Sequence, residues 1–304
     1  MMIGNRRLSP VLRKFDPTEL AKAGGLALVA RRVVEGYLSG SHRSPFKGFS
    51  VEFAEHRPYY PGDEIRRIDW RAYGKTDRYY VKEYEDETNL KAMVVVDASG
   101  SMGYRGKQKL SKFEYAQQVA ASLSYLLLGQ LDAVGLMTHD AALRAMVPPK
   151  TTSKHLLQIL KTLDETVVGG ETSLGAVWDR IAGQHLKRRG LVILISDCFD
   201  RIEPLASALR HLRYRKHEVI LFQILSPEEL DFPFSNPTKF RNMEVAGADK
   251  VVDARRLREE YLKNFEEHTL RLKRLAEELR IDYQMFRTDQ SVDLALGVYL
   301  ARRR

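Results

Sequence analysis

The chain has 304 residues, of which 44% are apolar and 29% charged, and its net charge at pH 7 is +9. This composition is typical of a soluble globular protein with one large domain or two smaller ones. No apolar stretch approaches the roughly 20 residues of a membrane helix, and no secretory signal is visible, so we expect a cytoplasmic protein. A single cysteine, Cys198, excludes an internal disulfide and a thiolate-rich metal site.

Residues 1–90 are predicted to form a small N-terminal α+β module. Pro17–Tyr37 has helical periodicity, and Asp16 is available as its N-cap. Phe49–Tyr84 is crowded with aromatic residues, glycine and proline, and Pro61–Asp63 is a turn signal. We therefore expect a helix followed by a β-rich segment.

Residues 91–304 are predicted to form an α/β domain with a doubly wound, mostly parallel sheet, because strand-length apolar runs alternate with segments of helical period. The predicted parallel strands are Ala92–Val96, Val134–Thr138, Leu191–Ser196, Val219–Ile224 and Tyr283–Phe286. Leu143–Val147 fits an antiparallel edge strand, and residues 230–252 are expected to add a hairpin. The predicted helices are Lys112–Leu128, Lys154–Leu163, Ser173–Leu186, Pro204–Tyr214, Arg255–Leu279 and Val292–Leu300.

The most informative motif directly follows the first of these strands, Ala92–Val96. Asp97, Ser99 and Ser101 occupy alternate positions after it. In extended backbone, alternate side chains point the same way, so one carboxylate and two hydroxyls can converge on a small hard cation. Since α/β domains bind ligands at the carboxyl ends of their strands, a metal site is the leading hypothesis for this loop.

Two further loops can supply oxygen ligands to the same end of the sheet. Thr172 lies in the glycine-rich turn Gly169–Gly175, which opens a helix, and Asp197 ends the buried strand that begins at Leu191. A capping role at the start of a helix is the alternative for the serines and the threonine. Glu171 is the alternative ligand beside Thr172.

These five residues resemble the metal-ion-dependent adhesion site (MIDAS) of von Willebrand factor A-like domains, in which Asp-x-Ser-x-Ser is followed by a loop threonine and a strand-end aspartate. The matching residues are Asp97, Ser99, Ser101, Thr172 and Asp197. The resemblance implies that the hydroxyls contact Mg²⁺ (or Mn²⁺ or Ca²⁺) and that the two aspartates act largely through bound water. It also implies that an open coordination position on the ion binds a carboxylate of a partner protein.

A second motif lies in the N-terminal module. The pattern Arg-x-Tyr-x-x-Gly-Asp-x-x-Arg-x-Ile-Asp-Trp is matched by Arg57, Tyr59, Gly62, Asp63, Arg66, Ile68, Asp69 and Trp70. It resembles the signature of the DUF58 family, which carries this module before a von Willebrand factor A-like domain. The chain resembles the soluble subgroup of that family. The resemblance implies a bacterial adaptor or co-chaperone of a MoxR-type AAA+ ATPase.

Two enzymatic readings are weaker. A phosphohydrolase of the haloacid-dehalogenase type needs a second carboxylate two residues after Asp97, where this chain has Ser99. A serine hydrolase centred on Ser101 lacks the first glycine of the nucleophile elbow. Its candidate bases are His139, His155 and His217.

The positive charge permits binding to nucleic acid, anionic lipid or an acidic protein. However, residues 43–87 hold nine Lys or Arg and ten Asp or Glu, so the aromatic module has no basic stripe. The basic excess lies in residues 187–189, 210–216 and 302–304. The sequence therefore favours a non-enzymatic, Mg²⁺-dependent protein-interaction module, with a phosphohydrolase or a nucleic-acid-associated protein as alternatives.

Overall fold

The computed structural model describes residues 24–39, 56–58, 60, 70, 73–74, 79–82, 90–244 and 250–302. Contacts group the described residues into two compact units, one within 47–90 and the other made of 24–39 and 91–302. The predicted division of the chain into 1–90 and 91–304 stays a prediction.

The smaller unit contains a short antiparallel pair, β1 (His56–Pro58) with β2 (Tyr80–Lys82). The ring of Tyr73 stacks on that of Tyr79, with centroids 4.5 Å apart. Most of the predicted DUF58 motif lies outside the described residues. The motif positions concerned are Tyr59, Gly62, Asp63, Arg66, Ile68 and Asp69.

The larger unit is built on a six-stranded sheet. Its strands are β3 (Lys91–Asp97), β4 (Ala133–His139), β5 (Leu143–Lys150), β6 (Leu191–Ser196), β7 (Glu218–Leu225) and β10 (Asp282–Arg287). Across the sheet they follow the order β10-β7-β6-β3-β4-β5. All neighbouring pairs are parallel except β4 with β5. The α/β fold class, the parallel strands and the antiparallel edge strand predicted from the sequence are therefore confirmed.

The central strands are covered on both faces. Met93 and Val95 of β3 belong to one buried apolar cluster, together with residues of the helices that follow the Gly169–Thr172 loop and β6. Val94 and Val96, which alternate with them and so point to the opposite face, are also fully buried. Burial on both faces explains why these strands are continuous apolar runs rather than alternating ones.

The helices of the larger unit agree with the predicted pattern. They are α1 (Gly25–Ser39), α2 (Lys112–Gly129), α3 (Ser153–Glu165), α4 (Leu174–Arg180), α5 (Ile202–Tyr214), α6 (Pro227–Asp231), α7 (Ala254–Glu278) and α8 (Val292–Arg302). The predicted helix Ser173–Leu186 is shorter, because α4 passes into a single π-helical turn at Ile181–His185. Within the described ranges, no helix has the length and apolarity to span a membrane.

Two short elements were not predicted as such. The helix α6 begins at a capping box in which Ser226 and Glu229 satisfy each other's backbone N–H groups. A 3₁₀ turn, Gly100–Gly103, follows β3. The expected hairpin is present as β8 (Pro237–Phe240) paired antiparallel with β9 (Lys250–Asp253).

The helix α1 covers the first long helix of the sheet domain. Its buried residues are Ala27, Ala30, Val33 and Val34, a spacing that lies on one helical face. This helix packs against α2, α8 and α3. The predicted N-cap, Asp16, lies outside the described residues.

Candidate metal centre

The carboxylate of Asp97 lies at the end of β3, next to the end of β6. Because the parallel register pairs Val96 with Ile195, Ser196 follows beside Asp97. The Ser196 hydroxyl donates to Asp97 Oδ2 at 2.7 Å, and the backbone N–H of Ser99 donates to Asp97 Oδ1 at 2.9 Å. Asp97 is fully buried. Its carboxylate is therefore held in one orientation at the strand end.

The two predicted hydroxyl ligands lie side by side. Ser99 Oγ and Ser101 Oγ are 3.3 Å apart. Two adjacent ligands of an octahedral Mg²⁺, each 2.0–2.1 Å from the ion, lie about 3 Å apart, and the longer bonds of Ca²⁺ increase that separation. The Ser99 hydroxyl does not cap the 3₁₀ turn. The observed spacing therefore fits two neighbouring positions around a hard divalent cation.

The loop that carries Thr172 is fastened to the loop after β3 by the backbone. Gly100 N–H donates to the Gly170 carbonyl and Gly169 N–H donates to the Ala98 carbonyl, both at 3.0 Å. Gly170 has a φ of +86°, and a Cβ atom there would lie 2.6 Å from Asp140 Oδ2. Glycine is required at this position by both its backbone conformation and the space available.

A basic side chain fixes the same loop from its other side. Arg144 donates to the backbone carbonyls of Val167 and Gly169 and to the Asp140 carboxylate. The loops after β3 and before α4 are thus a connected unit at the carboxyl edge of the sheet.

Thr172 binds a carboxylate that the sequence did not predict. Its hydroxyl donates to Glu244 Oε1 at 2.5 Å, and its backbone N–H donates to Glu244 Oε2 at 3.2 Å. The N-cap of α4 is Ser173, whose side chain makes no capping hydrogen bond. The capping alternative for this loop is therefore not what the structure shows, and Glu171, the alternative ligand, is exposed.

Asp197 is paired with a buried ammonium group. Lys112 Nζ lies 2.8 Å from Asp197 Oδ2 and 2.5 Å from Glu229 Oε1. The other oxygen of Asp197 accepts from Phe199 N–H at 3.1 Å. The Lys112 and Asp197 side chains are 1% and 0% exposed. Each carboxylate oxygen of Asp197 therefore already has a donor. This favours contact with an ion through water over direct ligation.

The charges of this cluster do not balance. Burial alone lowers the pKa of Lys112, but Asp197 and Glu229 outweigh it and raise that pKa above its ordinary value. The cluster therefore contains three carboxylates, Asp97, Asp197 and Glu229, and one ammonium, and burial raises the pKa of Asp97 and of Glu229. A divalent cation bound here would balance the charge of the carboxylates once they are ionised.

The pKa of Asp97 shows the same imbalance. Burial raises the pKa of the Asp97 carboxyl, and the Asp197 carboxylate raises it further, whereas the hydrogen bonds from Ser196 and Ser99 lower it. Among the residues that the structure describes, no Lys or Arg forms an ion pair with Asp97. Its donors are neutral, so a bound cation would stabilise its ionised form.

A metal site at this position cannot be built from carboxylates and imidazoles alone. Across the described part of the chain, no group of three or more His, Cys, Asp or Glu side chains is arranged to hold a metal ion. The predicted set contains only two carboxylates, so ligation would depend on the three hydroxyls. The donors that the structure brings together fit such a site, and their role as ligands stays a prediction.

Two of the three histidines proposed as catalytic bases are engaged elsewhere, and the third, His217, lines a cavity at the opposite end of the strands. The indole N–H of Trp178 donates to His139 Nε2 at 3.0 Å, so Nε2 is an acceptor and Nδ1 carries the proton that is donated to the Asp140 carbonyl. His155 Nε2 contacts the Val134 carbonyl at 3.0 Å. Neither ring is placed as a base for Ser101.

Four polar residues at the site were missed by sequence reasoning: Ser196, Lys112, Glu229 and Glu244. Ser196 carried a usable signal, because it is the last residue of a strand predicted to lie near Asp97. Glu229 carried a second one, since Ser226-x-x-Glu229 is a capping box. Lys112 at the start of a helix and Glu244 in a hairpin connection carried none.

A basic concave surface lies at the opposite end of the strands. A cavity of about 250 Å³ is lined by the start of β3 and β6 and by Lys187, Arg188 and His217. Part of the basic excess noted in the sequence therefore faces a groove, away from the Asp97 loop.

The strand order, the antiparallel edge and the oxygen cluster at the carboxyl edge define an α/β domain with a candidate metal centre. The chain belongs to the family of proteins of unknown function DUF58, which it matches over residues 55–271. The uncharacterized protein Rv1480 of Mycobacterium tuberculosis is 28% identical to it over 221 residues, which are 72% of this chain and 68% of that protein.

Two solved structures are also similar. The conserved hypothetical protein BatB from Bacteroides thetaiotaomicron has 15% identity and a TM-score of 0.45, covering 70% of this chain and 98% of that chain. The SpRpn10 VWA domain has 12% identity and a TM-score of 0.40, covering 69% of this chain and 94% of that chain.

Proposed function

We propose that the chain is a protein-docking module that binds Mg²⁺ at Asp97, Ser99, Ser101, Thr172 and Asp197. The observation that carries this proposal is the pair of hydroxyls 3.3 Å apart beside a buried, uncompensated carboxylate. Hydroxyl ligands leave the charge of Mg²⁺ under-neutralised, so the bound ion attracts a further carboxylate. That carboxylate comes from an Asp or Glu side chain of a partner protein.

The Lys112 cluster supports a docking role over catalysis. Asp197 is held by an ammonium and a backbone N–H, and the His139 ring is held by Trp178 and by the Asp140 carbonyl. Groups fixed in this way orient an ion but do not transfer protons. We therefore propose a non-enzymatic function.

The partner that we propose is a MoxR-type AAA+ ATPase, with the chain as its adaptor or co-chaperone in the bacterial cytoplasm. This part of the proposal comes from the resemblance of Arg57 to Trp70 to the DUF58 signature. The metal would then make docking conditional on Mg²⁺.

The first experiment measures metal binding by the purified full chain. Mg²⁺ should raise the unfolding temperature of the wild type and give a saturable heat in calorimetric titration. Asp97→Ala should remove both effects. Asp164→Ala, which changes an exposed carboxylate on α3, is the matched control and should behave like the wild type.

The second experiment measures docking with a purified MoxR-type ATPase from the same organism. Capture should occur with Mg²⁺ and be lost with EDTA or with Asp97→Ala. Equal capture under all conditions would contradict the metal-dependent mechanism. Metal binding without capture would leave the site intact and refute only the choice of partner.

A further inference from the structure

Glu244 contacts one of the predicted metal ligands, Thr172, from within the chain. Its two carboxylate oxygens accept separate hydrogen bonds from the hydroxyl and the backbone N–H of Thr172, at 2.5 and 3.2 Å. Thr172 is one of the five predicted ligand positions, and the two residues are 72 positions apart in the sequence. This contact is therefore tertiary, made by the segment that follows β8.

The backbone preceding Glu244 lies directly on the loop after β3. A Cβ atom at Gly100 would lie 2.1 Å from the Met243 carbonyl oxygen, so only glycine permits this approach. A Cβ atom at Gly103 would lie 3.3 Å from the Met243 side chain. The residue between the two predicted serine ligands is thus covered by the chain's own main chain.

The direction of the Glu244 side chain is set locally. Asn242 Oδ1 accepts a hydrogen bond from Glu244 N–H at 2.9 Å, which closes an Asx turn. This turn follows β8, which is paired with β9 and thereby anchored. The carboxylate is consequently presented to Thr172 by a folded segment.

We propose that Glu244 is an internal ligand of the docking site, which holds the acidic-ligand position until a partner carboxylate displaces it. This inference rests on the proposed metal-dependent docking function. A carboxylate on a predicted metal ligand has the chemistry of the group that a partner would supply. Docking is then a competition between two carboxylates. The strength with which segment 242–244 holds the site sets the partner concentration that docking requires.

The test uses Mn²⁺ as the probe ion, with the purified full chain as wild type, Glu244→Gln, Glu244→Asp, Glu171→Gln and Asp97→Ala. Electron paramagnetic resonance gives the Mn²⁺ affinity, and water-proton relaxation reports how many waters the bound ion carries. Glu171→Gln makes the same charge change one residue from Thr172 at an exposed side chain. A glutamate-rich peptide serves as the competing acid.

The wild type should bind Mn²⁺ in a manner that depends on Asp97. Glu244→Gln should weaken Mn²⁺ binding by about tenfold or more, because it removes a negative charge beside the ion and also changes the acceptor that holds the ligand Thr172. It should also raise the relaxation per bound ion, and the acidic peptide should then reduce that relaxation at concentrations that leave the wild type unchanged. Glu244→Asp, which keeps the charge, should restore part of the affinity.

The possible failures are distinguishable. If the wild type binds Mn²⁺ no better than Asp97→Ala, the metal site is absent and both proposals are refuted. If Mn²⁺ binding depends on Asp97 but Glu244→Gln matches the wild type in affinity, relaxation and peptide response, only the internal ligand is refuted. If Glu171→Gln has the same effect as Glu244→Gln, the effect is one of net charge and the internal ligand is again refuted.

Discussion

Replacing Lys112 by methionine is expected to be the most destabilising single charge removal at the candidate site. Methionine keeps most of the length and apolar volume of lysine but removes the ammonium group. Lys112 compensates two carboxylates at once, Asp197 at 2.8 Å and Glu229 at 2.5 Å. Its loss leaves Asp197, which is fully buried, without a cation.

The size of the effect follows from this burial. Removing one partner of a buried ion pair typically costs about 3–5 kcal/mol, because an uncompensated charge remains. A domain of this kind has a total stability of about 5–15 kcal/mol. Lys112→Met should therefore lower the free energy of unfolding by about 3–5 kcal/mol, read from the shift of the urea midpoint at a constant slope.

A matched control separates burial from charge. Lys161 forms an i,i+4 pair with Glu165 at 3.6 Å, with side chains 73% and 66% exposed. Lys161→Met should change stability by less than about 0.5 kcal/mol. If Lys112→Met costs no more than Lys161→Met, the ammonium is not buried against its carboxylates and the reasoning is refuted.

The double variant Lys112→Met with Asp197→Asn provides an independent check of the same cause. Since the asparagine carries no charge, no unpaired ionised group remains at position 197. The double variant should be more stable than the sum of the two single effects implies, with a coupling of about 1 kcal/mol or more. Additive losses would show that Lys112 contributes through packing rather than through its charge.

Two further substitutions test packing contacts of the sheet domain. Gly175→Ala should destabilise the protein by about 1–3 kcal/mol, because the added Cβ would lie 2.4 Å from Pro204 Cβ. Gly183→Ala is the control, since the nearest atom to its added Cβ is 3.6 Å away. Equal urea midpoints for the two variants would contradict the close approach at Gly175. Tyr299→Phe should cost about 1–2 kcal/mol in urea unfolding, because the Tyr299 hydroxyl donates to Asp282 Oδ2 at 2.6 Å; an unchanged midpoint would show that this bond adds nothing to the docking of α8.

The strands could be predicted because they are buried on both faces. A strand such as Leu191–Ser196 is a continuous apolar run between polar loops, and every residue in it is buried. Asp97, Ser99 and Ser101 could be found because they directly follow such a run; the assumed extended backbone was wrong for Ser101, which lies in the 3₁₀ turn Gly100–Gly103, and this turn brings its hydroxyl beside that of Ser99. Both predictions rested on local sequence pattern alone.

The remaining parts of the site depend on tertiary placement. Lys112 begins a helix, where a lysine is ordinarily solvated, but here Asp197 after β6 and Glu229 of α6 lie against its buried ammonium group. Glu244 lies in a hairpin connection whose strands were predicted only in outline. The contact with Thr172 depends on how that hairpin packs on the sheet, which no local pattern encodes.

The position of α1 in the larger unit makes that unit discontinuous in sequence. The larger unit takes α1 from residues 25–39 and resumes at β3, and α1 covers α2 with Ala27, Ala30, Val33 and Val34. A fragment cut at residue 91 would lose this cover and expose an apolar stripe, which favours self-association.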